Sequence, residues 1–283
     1  GGAAYAAEGP GTSSASTSAA ASSPPSAFSA GWRNLSGEQR RKFDALFQKA
    51  FDVLTVEEEE ATWTEILDTF PDVPEAVARA VSNRGNARAR QGKLLEAVAD
   101  YTRAVALAPG EPDPYLNRGA TYEALGRLED ALEDYNRVLS IDLKDPAAWN
   151  NRGNALMGMG RFADARDSFK TALSCADANA YAFAAVNLNL AEFELGNDEA
   201  VAKDLRSLLA RYPDAFPDAR AAYAMVLWDR GERLRAEEEW DRATALDSRY
   251  RSLEWTKDFR RWPPRMVAIL KRFSETTSVK VKA

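Results

Sequence analysis

The strongest constraint on this chain is a period. "NRGNARARQG" begins at Asn83, "NRGATYEALG" at Asn117 and "NRGNALMGMG" at Asn151, so successive starts lie 34 residues apart. A unit of that length cannot bury its apolar face alone and must stack on its neighbours. At this spacing Gly85, Gly119 and Gly153 fall in one column and Gly92, Gly126 and Gly160 in a second. Ala97, Ala131 and Ala165 form a third, Tyr101, Tyr135 and Phe169 a fourth, and Ala104, Val138 and Ala172 a fifth. Each unit therefore reads as a helix, a tight turn at the second glycine, and a second helix. The small residues let two antiparallel helices approach closely. The aromatic is expected to fill the gap to the following unit. Arg84, Arg118 and Arg152 are expected to pack their alkyl stems and carry their guanidinium groups to the surface.

The flanks differ from the array. Residues 1–33 are an Ala/Ser-rich segment without apolar periodicity, expected to stay disordered because it has little to bury. Residues 1–30 hold no basic residue, unlike an arginine-rich transit peptide, and with no methionine at position 1 the segment reads as a processed N-terminus or linker. Ser36 with Gln39, and Thr55 with Glu58, have the spacing of helix caps. Phe43, Leu46, Phe47, Ala50, Phe51 and Leu54 form one amphipathic stripe, and Trp63, Ile66 and Leu67 another. Residues 34–77 are thus a helical hairpin, a degenerate repeat ahead of an array at 78–250. The run Glu57–Glu60 sits where negative charge suits a helix start. Residues 251–283 read as a basic cap and tail. From Arg249 onward ten basic residues face three acidic ones, in a chain of net charge −6.

These columns resemble the tetratricopeptide repeat family. Units 78–111, 112–145 and 146–179 match its pattern strongly, with Val81, Tyr115 and Trp149 at the first large position. Units 182–215 and 217–250 match more weakly: Gly196, Leu205, Leu208 and Pro213 hold in one, and Gly231, Ala236, Trp240 and Ala243 in the other. Asn189 and Ala224 replace the first glycine there. The resemblance implies an all-α, right-handed α-solenoid of five helix-turn-helix units, with an N-terminal helical hairpin and a C-terminal capping helix. It also implies protein binding along a concave face lined by the first helices. "NRGNA", "DSRYR" at Asp247–Arg251 and "RRWPPR" at Arg260–Arg265 further resemble a set of such proteins from plant, algal and cyanobacterial cells. That resemblance implies a chloroplast protein, on the lumenal or stromal side, serving as an assembly, stability or auxiliary factor for a thylakoid photosynthetic complex. Its partners would be photosystem or other thylakoid subunits, with peripheral membrane association. The alternative is a general adaptor or cochaperone-like protein in another compartment.

The residues give little chemistry. The chain has no histidine and one cysteine, Cys175, which excludes His-based triads and His metal sites together with an intrachain disulfide. The glycines of "NRGNARARQG" lie in and after a helix, not between a strand and a helix, so they make no phosphate loop. We expect no enzyme, no cofactor and no metal. The acidic body and mixed-charge groove speak against nucleic acid, and no apolar run is long enough to span a membrane. The family's groove places point to Arg79, Asn86, Arg90, Asp113, Glu123, Asn150 and Asn154, with Ser82, Leu116 and Met157 beside them. Asn83, Asn117 and Asn151 stand at the sixth place of each strong unit. Their amides either hold the backbone of an extended peptide or bond within the scaffold. The lysine and arginine of the chaperone-carboxylate clamp are missing: Ser82, Leu116 and Asn150 hold the fifth place and Asn151 the sixth. Arg260, Arg261, Trp262, Arg265, Lys271 and Arg272 are either part of the cap or the rim of a docking tail.

Overall fold

A computed structural model describes residues 33–175, 178–212 and 216–276, with the backbone alone for 178–182. Residues 1–32 of the expected disordered segment, Pro213 and the last residues of the basic tail lie outside the described residues. The described residues are all-α and fall into two compact units that divide between Leu143 and Lys144. The first holds α1 (Gly37–Asp52), α2 (Val56–Thr69), α3 (Pro74–Arg90), α4 (Leu94–Leu107), α5 (Pro112–Ala124) and α6 (Leu128–Ile141). The second holds α7 (Pro146–Gly158), α8 (Phe162–Cys175), α9 (Ala178–Glu194), α10 (Asp198–Arg211), α11 (Pro217–Asp229), α12 (Arg233–Leu246) and α13 (Pro264–Thr276). A 3-10 turn at Ser248–Arg251 and a π-turn at Trp255–Phe259 join α12 to α13.

Local sequence sets the helix ends. Ser36 and Gln39 form a reciprocal capping box on α1, and Thr55 accepts from the Glu58 amide at the start of α2. Proline opens α3, α5, α7 and α11. Its ring suits the first helical position, where no amide hydrogen bond is lost. The second-glycine column closes each first helix with a left-handed residue, for instance Gly126 at φ 75°. The N-terminal hairpin is sealed by edge-on aromatic contacts of Phe47 and Phe51 with Trp63, which is fully buried.

Two details of the repeat differ from the sequence expectation. The column aromatic does not serve only the gap to the next unit: it lies on the glycine of its own. A Cβ at Gly85 would sit 2.8 Å from the Tyr101 ring, at Gly119 2.6 Å from Tyr135, and at Gly153 2.4 Å from Phe169. The arginine after each asparagine does not reach for the surface either. Arg84 grips Asp100 through two hydrogen bonds (2.9 and 2.7 Å), and Arg118 grips Asp134 likewise (both 2.8 Å). In the third unit Ser168 stands in the aspartate's place and accepts from Arg152 at 2.5 Å. Each fork spans 16 residues and ties the first helix of a unit to its second. The aspartates are almost wholly covered, so the ion pairs are satisfied in a partly desolvated site where a lost partner is costly.

Gly119→Ala is expected to lower stability by about 1–3 kcal/mol, since the Tyr135 ring is buried and cannot withdraw. The gain in helix propensity, about 1 kcal/mol, offsets only part of that. Gly119→Ala combined with Tyr135→Leu should recover most of the loss in urea denaturation. If the single variant is as stable as the wild type, the glycine column is not set by the ring contact.

Candidate peptide-binding faces

In the second unit the inner face is closed by the chain itself. α13 packs against α9 and α11, both first helices of their pairs. Met266, Ile269, Leu270 and Phe273 of α13 are buried, and Phe273 lies edge-on to Trp228 and against Trp240. As a result Asp218–Trp228 of α11 is buried on every side, as its near-continuous apolar sequence demands. The start of α13 lacks a cap of its own after Pro263–Pro264. Glu194, from the end of α9, accepts from the amides of Arg265 (2.8 Å) and Met266 (3.3 Å) instead. Burial raises the Glu194 carboxyl above its ordinary range, against the lowering effect of those amides.

A polar cluster is enclosed beneath this cover. The Asp218 carboxylate accepts from Arg260 Nε (2.8 Å), Arg260 Nη2, the Tyr250 hydroxyl (2.7 Å) and Trp262 Nε1 (3.2 Å). Arg260 Nη2 also donates to Asn187 Oδ1 at 2.8 Å. The Asn187 amide in turn donates to Asn150 Oδ1 (3.0 Å) and Asn154 Oδ1 (3.1 Å). Burial alone would lower the Arg260 pKa, but the Asp218 charge and its hydrogen bonds outweigh that and hold it above the usual arginine value. Burial, then the same carboxylate, pushes the Tyr250 hydroxyl well up.

Between the two readings of the closing segment, cap or docking rim, its residues divide one by one. Arg260 and Trp262 are buried and face inward. Arg265 forks onto Asp198 (2.7 Å twice), reaches Asp229 (3.0 Å) and lies over the Phe193 ring. Arg272 donates to Asp229 at 3.1 Å, with its side chain 63% exposed. Lys271 and Arg261 are exposed. Arg261 is the one described non-glycine residue with a left-handed backbone, at φ 58°.

The first unit presents a different surface. On α3, Asn86 Oδ1 accepts from the Tyr101 hydroxyl (2.8 Å) and from Asn117 Nδ2 of α5 (3.0 Å). That fixes the Asn86 amide with its two N–H donors unspent. Asn83 is half-buried, and its side-chain amide makes no hydrogen bond to another of the described residues. Arg79 lies over the Phe47 ring, and Asp113 is exposed. Glu123 is not open to a ligand: it is buried and accepts from the Tyr135 hydroxyl at 2.5 Å. Arg90 is engaged by Glu59 of α2. In the second unit Asn150 and Asn151 are buried, with Asn150 Nδ2 3.5 Å from Asn151 Oδ1. The expected ladder of Asn83, Asn117 and Asn151 thus has three different environments, and only Asn83 is unspent.

Sequence reasoning missed Asn187 and Asp218. They stand at the sixth place of unit 182–215 and the second place of unit 217–250, the same places that yielded Asn83 and Arg79. The signal was present, but groove candidates were taken from the three strong units alone.

Family models described as TPR repeat match residues 85–126 and 124–160, and one described as Tetratricopeptide repeat matches 146–179. Residues 85–179 carry tetratricopeptide repeats. No curated protein matches it. A tetratricopeptide repeat protein from Parabacteroides merdae ATCC 43184 is 20% identical, covering 83% of this chain and 86% of its own, with a TM-score of 0.62. Pseudomonas aeruginosa pilF is 16% identical over 72% of this chain and 95% of its own, with a TM-score of 0.56. YrrB, described as a TPR protein with an unusual peptide-binding site, is 16% identical over 66% of this chain and 92% of its own, with a TM-score of 0.50. These likenesses are of fold, an all-α tetratricopeptide solenoid, and no helix among the described residues is long and apolar enough to cross a membrane.

The glutamate run turns out to lock the hairpin onto the first repeat. Glu60 accepts from Lys93 (2.7 Å), Arg88 (2.8 Å) and Gln91 (2.9 Å). Burial would raise its carboxyl, but these donors overcome that and hold it at about 2. A depressed carboxylate stabilises the fold above its unfolded pKa and loses that contribution as pH falls towards its folded value. Glu60→Gln should therefore lower the urea midpoint at pH 7, and the difference from wild type should shrink between about pH 4.5 and pH 2. A difference that stays constant with pH would show that the carboxylate charge is not the cause.

Proposed function

We propose that this protein is a non-enzymatic binding scaffold that holds an extended segment of a partner protein on the inner face of α3 and α5. The observation that carries this is the amide pair Asn83 and Asn86. Asn86 is oriented by Tyr101 and Asn117 yet keeps its donors, and Asn83 keeps its whole amide. Amide donors at fixed positions suit the carbonyl groups of an extended backbone, whose binding then depends on main-chain atoms more than on one side chain. The description of YrrB as having a peptide-binding site is in keeping with such a use of the fold.

We place the partner among thylakoid photosynthetic subunits, with this chain as an assembly, stability or auxiliary factor in the chloroplast. The support is the resemblance carried by "NRGNA", "DSRYR" and "RRWPPR". Crosslinking mass spectrometry on the native protein tests this reading. Crosslinks from the α3–α5 region to photosystem subunits are the expected result, and recovery of soluble partners alone would sink the thylakoid assignment. Asn83→Ala with Asn86→Ala should weaken capture of the crosslinked partner about 10-fold or more, with helicity by circular dichroism nearly unchanged. Undiminished capture would remove the amide pair from the binding face.

A further inference from the structure

The closing segment fills a groove in the manner of a bound peptide. Asp218, Asn150, Asn187 and Asn154 stand at the second, fifth, sixth and ninth places of their units. What meets Asp218 and Asn187 is a side chain from 42 and 73 residues further on, while Asn150 and Asn154 hold the Asn187 amide from behind. The guanidinium of Arg260 enters a cluster made only of acceptors, aligned amides and a tyrosine hydroxyl. Trp262 follows it, buried, with its indole N–H on the same carboxylate. A cap that served only to cover apolar surface would need α13 alone, since Met266, Ile269, Leu270 and Phe273 already cover α9 and α11. Arg260 and Trp262 add a specific polar reading on top of that cover.

The same segment is held by strained backbone. Arg261, between the two inserted residues, is left-handed at φ 58°, a conformation unfavourable for a residue with a Cβ. The preceding turn, Trp255–Phe259, is a π-turn, a form seldom adopted except where a segment must be fitted to a site. Phe259 at its end is left 46% exposed. Residues 255–262 are thus fitted to the groove at a conformational cost, while α13 is anchored independently.

We propose that the groove formed by α7, α9 and α11 is a recognition site for an extended segment of the pattern Arg-x-Trp, and that residues 260–262 occupy it in cis as an exchangeable insert. A partner segment bearing an arginine followed by an aromatic two residues on competes for it, while α13 stays docked. The inference extends the scaffold reading to a second face, selected by a guanidinium rather than by backbone carbonyls, and does not depend on the identity of the α3–α5 partner.

The test uses the full chain and the labelled peptide acetyl-FRRWP-amide. Arg260→Ala with Trp262→Ala vacates the groove and leaves α13 in place. The vacated chain is expected to bind the peptide at least about 10-fold more tightly than wild type, in which the insert competes. Binding should be lost with the peptide acetyl-FARWP-amide, or on adding Asp218→Asn. A folded vacated chain that takes the peptide no better than wild type overturns the proposal. Native-state hydrogen exchange on the wild type covers the case of a variant that does not fold. Amides of Arg260 and Trp262, which donate to Trp255 and Thr256 carbonyls, should exchange through an opening at least 10-fold more frequent than that of α11. Exchange at the global rate would show the insert to be a fixed part of the core. Neither measurement involves a thylakoid protein, so failure of the partner assignment and failure of this site are read separately.

Discussion

The contact that sets the architecture is an aromatic ring lying on a glycine. In each strong repeat the ring of Tyr101, Tyr135 or Phe169 occupies the space where a Cβ of Gly85, Gly119 or Gly153 would be. That fixes how closely the two helices of a pair approach. Close approach in turn brings Arg84 and Arg118 within reach of Asp100 and Asp134, and the forked ion pairs set the rotation of one helix about the other. The order of dependence matters. A buried arginine-aspartate pair contributes little net stability by itself but penalises any arrangement that separates it. The glycine brings the helices together, and the fork makes one register of that pairing preferable.

Where the glycine is absent the problem is solved differently. Asn189 takes its place in the fourth pair, turns its amide back to the Ala185 carbonyl at 2.8 Å, and faces a column residue that is Leu205 rather than an aromatic. In the fifth, Ala224 accompanies Trp240, and both are fully buried. The weaker match of these two units to the repeat pattern therefore does not reflect a weaker fold. They face a second demand, because α9 and α11 must present apolar or acceptor groups to the closing segment as well as to their own partners.

The repeat could be read from sequence because its constraints are local. Positive φ demands glycine, helix starts favour proline, and a fixed period lines up residues that touch at fixed offsets. The capping box at Ser36 and the turn glycines are of this kind. The fate of the inserted residues was not legible. Arg260 and Trp262 are an arginine and a tryptophan in a basic stretch, and composition there leaves a cap and an outward-facing rim both open. Arg260 is buried against Asp218 and Asn187, 42 and 73 positions earlier, and Trp262 against the same Asp218, pairings that no local pattern announces. The candidate ladder failed for a related reason: equal places in the repeat do not have equal neighbours. Asn83, Asn117 and Asn151 share a column, but Asn86 stands beside one of them and Asn150 beside another.

Glu194 gives the closing helix an unusual beginning. A helix that follows two prolines has amides to satisfy and no side chain nearby in sequence to do it, so α13 borrows a carboxylate from α9, 71 residues upstream of Arg265. Its first turn is thus templated by a surface that must already be folded. On a ribosome, where the amino-terminal parts of a chain fold first, α9 and α11 are made before the segment that covers them. The inner face of the second unit is therefore born open and shut last, and during that interval the nascent chain displays an acceptor-lined groove with nothing of its own to place in it.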